Sequence, residues 1–209
     1  MKRLLGLGGL AAIAALVVVT PAPAQAPDDT VRVGDRILLD VEGEPQLRDT
    51  FAVTPGPTLT LPVIGPISLA GVRRSEAEPY LARQLAGFLK HPVVHARVLV
   101  RLAVLGEVQR PGFYAVPADA VLTDAIMAAG GPTRDAKLSG ARIERDAGRI
   151  WSGNGLQQAM ARGMTVTQMD LRSGDRIMVP RHHDGAVTAQ ILGILLTVPA
   201  AIYGLSKLH

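Results

Sequence analysis

Apolar and polar positions alternate over a stretch near the middle of the chain, where single residues separate four apolar ones. The apolar set is Val98, Val100, Leu102 and Val104, and the intervening set is Arg97, Leu99, Arg101 and Ala103. Because successive side chains of a β-strand point to opposite faces, this pattern predicts a strand with one continuously apolar face.

A tight turn and a second strand are predicted directly after this strand. Proline fixes φ near −65° and glycine accepts a positive φ, so Pro111 and Gly112 are expected to reverse the chain. Residues 113–116 then form the returning strand. The pattern therefore predicts a β-hairpin.

A short helix is predicted after the hairpin. Its apolar side consists of Leu122, Ile126 and Ala129. Thr123 is placed to cap the first turn. Gly130 and Gly131 can adopt the positive φ that ends a helix, and Pro132 cannot continue it. Two strands followed by a helix predict a sheet of the β-grasp kind.

Short strands joined by turns are predicted in the first part of the chain. Gly34 and Asp35 form a turn within a strand region at residues 31–41, and glycines and prolines divide residues 56–66. Ser75 and Glu78 have the spacing of a capping box at the start of a helix. The apolar stripe of that helix consists of Leu81, Leu85, Phe88 and Leu89, and His91-Pro92 ends it.

The last predicted elements are a hairpin turning at residues 146–148, a helix over 156–160 and a strand within 171–180. The sequence Gly-Asp-Arg-Ile at residues 174–177 repeats residues 34–37. This repeat could indicate an internal duplication, or Asp35 and Asp175 could form a catalytic pair. We favour a Gly-Asp turn that starts a strand and is used twice, because four residues are too few to show duplication.

The N-terminal residues have the pattern of a secretory signal peptide. Lys2 and Arg3 precede an apolar run at residues 4–19, and Ala24-Gln25-Ala26 fits a small-x-small cleavage site. An uncleaved anchor helix is the alternative interpretation. We expect residues 1–26 to be removed and the protein to be exported.

The C-terminal residues predict a helix of membrane-spanning length. No charged residue occurs between Ala186 and Leu205, and a helix over residues 186–207 would be about 33 Å long. A buried core helix is the alternative, but both domains look complete without it. Small or polar residues at alternating spacings of four and three form one seam: Ala186, Gln190, Gly193, Thr197, Ala200, Gly204 and Lys207. Such a seam suits packing against neighbouring helices or contact with a water-filled pore.

Composition and motifs argue against several functions. The net charge is +4, but the basic residues are scattered among acidic ones and aromatics make up only 3%, so nucleic-acid binding is not expected. Without cysteine the chain has no disulfide. The sequence contains no phosphate loop, serine-hydrolase elbow or zinc-protease motif. His182 and His183 would point to opposite faces of a strand, without a third ligand. We therefore predict a non-enzymatic protein without a metal or cofactor.

The central stretch resembles a known domain. VLGEVQRPGFYAV at residues 104–116, followed by LTDAIMAAGGPT at 122–133, is similar to the soluble-ligand-binding β-grasp (SLBB) domain of bacterial polysaccharide export proteins. The segments VGDRILLDVEGEPQL, LTLPVIGPISLAGV and HPVVHARV, which precede it, resemble the polysaccharide export domain of the same family. The resemblance covers roughly residues 31–181. This chain lacks the lipid-modified cysteine that many members carry.

We expect an α+β fold made of two small mixed α/β periplasmic domains and a C-terminal transmembrane-length helix. The predicted segments are a signal peptide (1–26), a polysaccharide export domain (27–100), an SLBB β-grasp domain (101–181), and a linker with the membrane helix (182–209). The predicted structural turns contain Gly34, Asp35, Pro111, Gly112, Gly130, Gly131, Gly174 and Asp175.

The resemblance implies a ring-forming homo-oligomer that conducts capsular or exopolysaccharide across the periplasm and outer membrane. Its implied partners are the polysaccharide, the membrane and an inner-membrane polysaccharide co-polymerase or chain-length regulator. The alternative is a periplasmic glycan-binding adaptor that the C-terminal helix anchors in the inner membrane. A hydrolase acting on exported glycan is a third hypothesis, but no local motif in the sequence supports it.

Overall fold

The computed structural model describes residues 28–182, which form a mixed sheet of nine strands with three α-helices. The strands are β1 (Arg36–Val41), β2 (Asp49–Thr54), β3 (Thr58–Leu61), β4 (Gly65–Ser68), β5 (Val94–Gly106), β6 (Gly112–Pro117), β7 (Arg142–Arg145), β8 (Gly148–Ser152) and β9 (Arg176–Val179). The helices are α1 (Ala77–Leu85), α2 (Leu122–Ala128) and α3 (Gly153–Ala161), and single 3-10 turns occupy Pro45–Leu47, Arg74–Glu76 and Leu138–Gly140. The predicted mixture of many short strands and few helices is confirmed for these residues.

The sheet is built on β5. Strands β1 and β6 pair with β5 in antiparallel orientation, and β9 pairs with it in parallel. The order across the sheet is β4-β3-β2-β1-β5-β9-β7-β8, and β6 lies beside β5 outside this path. The strand that alternation predicts is confirmed. It extends from Val94 to Gly106 and is therefore longer than the alternating segment.

The apolar face of β5 lies in the middle of one hydrophobic core. The alternating apolar residues of this strand are all buried. Predicted inward residues of β1, α1 and α2 belong to the same cluster: Ile37, Leu39, Val41, Leu81, Leu85, Leu122, Ile126 and Ala129. Ala103, which the pattern places on the polar face, is also buried. The strands β6 and β9 pair with it on both edges of β5, where it lies opposite Phe113 and Arg176.

The predicted capping box before α1 is wrong, because both of its side chains bond elsewhere. Ser75 lies inside the 3-10 turn that precedes α1, and its hydroxyl donates a hydrogen bond to the Asp29 carboxylate at 2.9 Å. The Glu78 carboxylate accepts a hydrogen bond from the amide of Ala96 on β5 at 3.0 Å. These side chains tie the start of α1 to the N-terminal segment and the sheet, rather than to the helix backbone.

The end of α1 also differs from the prediction. The helix stops at Leu85, so Phe88 leaves the helical stripe and is 66% exposed. Leu89 still packs against the core, and His91 has a positive φ of 50°. The apolar stripe therefore predicted the buried residues within the helix correctly, but it wrongly predicted that Phe88, beyond the end of the helix, is buried.

The predicted start of α2 is wrong and its predicted end is correct. Thr123 lies inside the helix, and the residue before α2 is extended and provides no side-chain cap. Gly130 and Gly131 have φ of 83° and 81°. Their amides donate to the carbonyls of Met127 and Ile126 at 2.9 and 3.0 Å, which is the Schellman arrangement at a helix C-terminus.

The positive φ expected at Gly112 is absent, and Gly106 has it instead. Gly112 already belongs to β6, where extended backbone requires no unusual φ. Gly106 ends β5 with φ of 89°, and the following amide, of Glu107, donates to the carbonyl of Val179 at 2.8 Å. The chain must bend sharply at Gly106 because β5 leaves its parallel partner β9 there.

The predicted ends of the chain lie outside the described residues. This applies to the signal peptide at residues 1–26 and to the C-terminal helix with its seam. Between residues 28 and 182 no helix is long and apolar enough to cross a membrane. The predicted boundary between residues 100 and 101 lies within β5 and stays a prediction.

The two glycines at either end of the β5–β6 connection should respond differently to substitution. In Gly106→Ala the added Cβ would overlap the carbonyl oxygen of Val179, and φ is positive. We expect a loss of about 2–5 kcal/mol in the free energy of unfolding. In Gly112→Ala the nearest atom lies 3.7 Å from the added Cβ and φ is not positive, so a loss below about 1 kcal/mol is expected. Urea unfolding of both variants measures the difference, and a larger loss at Gly112 would contradict this account of the turn.

Candidate functional site

The two Gly-Asp turns meet beside the middle of β5. Strand β1 begins at Arg36, opposite Leu99, and β9 begins at Arg176, opposite Ala103. Strand β6 occupies the other edge of β5 over residues 99–104, so β1 and β9 share one edge. Because β1 is antiparallel to β5 and β9 is parallel, the two strands start at this point and run apart. The turns that precede them are therefore neighbours.

The same hydrogen bonds close both turns. The amide of Asp35 donates to the carbonyl of Arg32 at 3.1 Å, and its carboxylate accepts from the amide of Arg32 at 3.1 Å. Asp175 makes the same two bonds with Arg172, at 3.0 and 2.8 Å. The glycines that precede the aspartates have φ of 91° and 102°, as type II turns require at their third position. Both Gly-Asp pairs are thus turns that start a strand.

The repeat is longer than the four residues found by sequence analysis. It reads Arg-x-Gly-Asp-Arg-Ile at residues 32–37 and again at 172–177. The first arginine of each copy donates to the same carboxylate: Arg32 Nη2 lies 3.1 Å from Asp170 Oδ1, and Arg172 Nη2 lies 3.1 Å from Asp170 Oδ2. Asp170 therefore joins the two turns. Only the repeated first arginine signalled this arrangement in the sequence.

Ser173 joins the two turns to β5. Its hydroxyl donates to Asp35 Oδ1 at 2.7 Å and accepts from the amide of Arg101 at 2.9 Å. The amide of Gly174 donates to the carbonyl of Arg101 at 2.8 Å. A Cβ added at Gly34 would lie only 3.3 Å from the Cβ of Ser173, so the turns are in close contact. The second turn thereby bonds the backbone of Arg101, which lies between the ends of β1 and β9.

A buried ion pair lies beneath the first turn. The Nε and Nη2 atoms of Arg74 lie 3.2 and 3.1 Å from Asp35 Oδ2, and Nη1 donates to the carbonyl of Leu171 at 3.3 Å. The Arg74 and Asp35 side chains are 2% and 0% exposed. Removing one member of such a pair leaves a buried charge without compensation. Nothing in the local sequence pattern distinguishes Arg74 from an exposed arginine.

The second turn has its own arginine. Arg145 on β7 donates through Nε and Nη2 to the two oxygens of Asp175, at 2.8 and 2.9 Å. Asp175 is buried, whereas Arg145 is partly exposed. The hydrogen bond to Asp175 raises the pKa of Arg145 above its ordinary value. Each turn aspartate is therefore held by an arginine from a different strand or turn of the fold.

The network continues to the N-terminal edge of the described residues. Asp28 accepts hydrogen bonds from the hydroxyl and amide of Thr30, at 2.6 and 3.1 Å, and pairs with Arg32 at 2.7 Å. The Thr30 hydroxyl, followed by the Arg32 guanidinium, holds the pKa of Asp28 well below its usual range. Asp28 and Asp170 thus both bind Arg32, which connects the N-terminal segment to the junction.

An open groove of about 530 Å³ lies beside this junction. It separates the start of α1 from the loop after β6, and its floor is the edge of β5 that β6 leaves uncovered. Its lining residues are Asp29, Arg74, Ser75, Glu78, Pro79, Ala96, Arg97, Val98, Ala118, Asp119, Thr165 and Thr167. Several polar groups in the groove already bond to protein atoms, including Thr167, whose hydroxyl donates to the carbonyl of Ala118 at 2.9 Å. No group of three or more metal-ligating side chains occurs within residues 28–182.

The predicted turn residues fall into two separate places. Gly34, Asp35, Gly174 and Asp175 come together at the junction. Pro111, Gly112, Gly130 and Gly131 come together elsewhere, where the β5–β6 connection lies against the end of α2. There the amides of Gln109 and Arg110 donate to the carbonyls of Gly131 and Ala129, at 3.0 and 2.9 Å. The seam residues Ala186, Gln190, Gly193, Thr197, Ala200, Gly204 and Lys207 lie outside the described residues.

The buried pair at the junction should contribute far more to stability than an exposed pair. Arg74→Ala leaves the Asp35 carboxylate buried without its partner, and we expect a loss of about 3–5 kcal/mol in the free energy of unfolding. Arg48 pairs with Asp40 at 3.2 Å, but these side chains are 74% and 40% exposed. Arg48→Ala should therefore cost less than about 1 kcal/mol. Urea unfolding of the full-length variants measures both losses. Equal losses in the free energy of unfolding would show that the junction pair contributes no more to stability than an exposed pair.

Two family models match consecutive segments of this chain. The model described as "Polysaccharide biosynthesis/export protein" matches residues 23–99, and the model described as "SLBB domain" matches residues 101–157. The chain is also 29% identical, over 167 residues, to the EPS I polysaccharide export outer membrane protein EpsA of Ralstonia nicotianae. That similarity covers 77% of this chain and 43% of the relative, so the chain spans less than half the length of that protein.

The matched segments adjoin at the middle of β5, and the junction of the two turns lies where they meet. Their order, with the export domain first and the SLBB domain second, is the one that the resemblance in the sequence implied. The protein belongs to the family of bacterial polysaccharide export proteins.

Proposed function

We propose that this protein is an exported, non-enzymatic component of a polysaccharide secretion machine. Copies of the chain form a ring that conducts capsular or exopolysaccharide across the periplasm and the outer membrane. The observation that carries this proposal is the succession of an export domain and an SLBB domain in one chain. The relative from Ralstonia nicotianae is named as an outer membrane export protein, which supports an outer-membrane location with a periplasmic body.

Conduction through such a ring requires no chemical step and no cofactor. The polymer and the driving force come from an inner-membrane polysaccharide co-polymerase or chain-length regulator that contacts the periplasmic body. The body consists of an export domain at residues 27–100 and an SLBB domain at residues 101–181. The hydrogen-bonded junction around Ser173 supports the view that the two act as one unit.

The C-terminal helix supplies the membrane crossing in this proposal. Its sequence places small and polar residues in one seam and bulky apolar residues opposite them. Within lipid, small residues let helix backbones approach closely, and close packing is the main attraction between helices. The seam therefore faces neighbouring copies or the lumen, while the bulky side faces lipid.

Processing is tested by the intact mass of the protein taken from membranes. If the signal peptide is removed, the mature chain begins near Pro27 and carries no lipid. Lys2 and Arg3 would then be absent from the main species. Their retention would favour an N-terminal anchor helix and contradict this part of the proposal.

Substitutions on the two sides of the C-terminal helix test the ring. Gly193→Leu adds bulk in the seam, so the protein should stay in the membrane fraction while the oligomer is lost. Leu195→Ala is the matched control on the lipid side, where lipid can fill the space, and it should assemble more completely. Native mass measurement of both detergent-extracted proteins reports the difference.

The opposite result has a definite meaning. Equal oligomer yield from Gly193→Leu and the wild type would show that the helix is a simple tether. Recovery of the protein in the inner-membrane fraction would then support the glycan-binding adaptor in place of the ring.

A further inference from the structure

One face of the central sheet carries three arginines that no cross-strand carboxylate neutralises. Alternate residues of β1, β5 and β6 point away from the core, and we call this surface the arginine face. It is defined by Arg36, Arg97 and Arg101 together with Leu38, Leu99 and Phe113. The sequence pattern predicted only a polar side for β5, and the pairing of the strands assembles the arginines into one surface.

The register places each arginine opposite an apolar residue. Arg36 lies opposite Leu99, and Arg97 lies opposite Leu38. Arg101 lies opposite Ala115 of β6. Exposed sheet faces commonly place opposite charges across from one another, which stabilises the pair. Here the positive charge is instead separated by apolar side chains.

The carboxylates of Asp40, Glu78 and Asp119 lie around Arg97, whereas Arg36 and Arg101 form no ion pair within residues 28–182. Asp40, on the same face of β1, pairs with Arg48 at 3.2 Å. Asp119 lies 3.9 Å from Arg97, and both side chains are largely exposed, so this pair is weak. Within residues 28–182, no hydrogen bond or ion pair engages the side chain of Arg36 or Arg101 in this structure.

The guanidinium of Arg101 is oriented by an aromatic ring. Its Cζ lies 4.2 Å from the centre of the Phe113 ring. Stacking of this kind orients the guanidinium and leaves its N–H donors in the plane free to bind carboxylate or phosphate oxygens. Phe113 is 62% exposed and Leu38 is 45% exposed, so the apolar part of the face is also accessible.

The spacing of the arginines suits a chain with repeated charges better than a single small acid. Arg97 and Arg101 lie four residues apart on one strand, which separates their Cα atoms by about 13 Å. Arg36 lies on the neighbouring strand between them, about 7–8 Å from each. No single carboxylate can bridge such distances, whereas a polymer with an anionic group on successive sugars can contact all three.

We propose that the arginine face binds an acidic polysaccharide, with the three guanidiniums on its carboxylates and the apolar side chains against its sugar rings. This rests on the proposed function, which makes polysaccharide the cargo, and it adds that the cargo is anionic. A contact between copies of the chain through this face is the alternative, and the native mass of the variants described below tests it.

The test compares two triple variants of the full-length protein in detergent. Arg36→Gln, Arg97→Gln and Arg101→Gln together remove the charges of the arginine face. Arg134→Gln, Arg149→Gln and Arg162→Gln remove three exposed arginines elsewhere, with the same change in net charge. The probes are fluorescently labelled polygalacturonate and its methyl ester, which has the same chain without the charges, in about 0.15 M salt.

The wild type should bind polygalacturonate and bind its methyl ester much more weakly. The arginine-face variant should lose at least about tenfold in affinity, and the control variant less than about twofold. Arg101→Lys, which keeps the charge but not the planar donors, should fall between them. If the triple variant melts at a lower temperature than the control, the three single variants replace it, each with an expected loss of about two- to threefold.

Several results would overturn the proposal. Equal losses in both triple variants would indicate general charge attraction, and unchanged binding in both would exclude the face. A smaller native mass of the arginine-face variant would identify a contact between copies. If this variant loses binding to phosphatidylglycerol vesicles but still binds polygalacturonate, the face binds a lipid surface instead. The oligomeric state is a separate question. A monomeric wild type would refute the proposed ring, but the affinities of the variants for polygalacturonate would still test the arginine face.

Discussion

The fold depends on how the edge of β5 is divided between β1 and β9. Both strands begin at the same place on this edge and run in opposite directions, which leaves the backbone of Arg101 between them. An unpaired buried amide or carbonyl costs free energy comparable to a lost hydrogen bond. Ser173 and Gly174 provide the missing partners, so the second turn has to lie against the first. The contact between the two halves of the chain thus follows from a requirement of the central strand.

The charges at the junction make this arrangement specific. A buried ion pair such as Asp35 with Arg74 contributes little net stability relative to apolar residues. Removing either partner, however, is strongly destabilising because the other charge stays buried. A shift of β9 by one residue would separate Asp175 from Arg145 and Ser173 from Asp35. It would also turn the apolar face of the strand towards solvent. Hydrogen bonding and hydrophobic burial therefore select the same register of β9.

Sequence periodicity predicted the parts of this structure that depend on neighbouring residues. The buried faces of β5, α1 and α2 follow from alternation or helical spacing, and the turn glycines before β1 and β9 follow from local backbone geometry. The failures at the start of α1 and in the β5–β6 connection share one cause, since tertiary partners outweigh local preference there. Ser75 and Glu78 bond to distant groups rather than to their helix, and Gly106 bends because of a strand 70 residues further on. Arg74 could not be recognised because its partner Asp35 is 39 residues away.

The path of β5 also constrains how the two matched segments can move. They adjoin at residue 100, in the interior of a strand that is bonded on both edges around this point. Val100 lies opposite Val116 of β6, and the neighbouring residue Arg101 is bonded to the second turn. A hinge at this position would break hydrogen bonds on both edges and expose part of the shared core. The boundary between the two matched segments is therefore a place where the chain resists bending, so the two segments move as one body at this point.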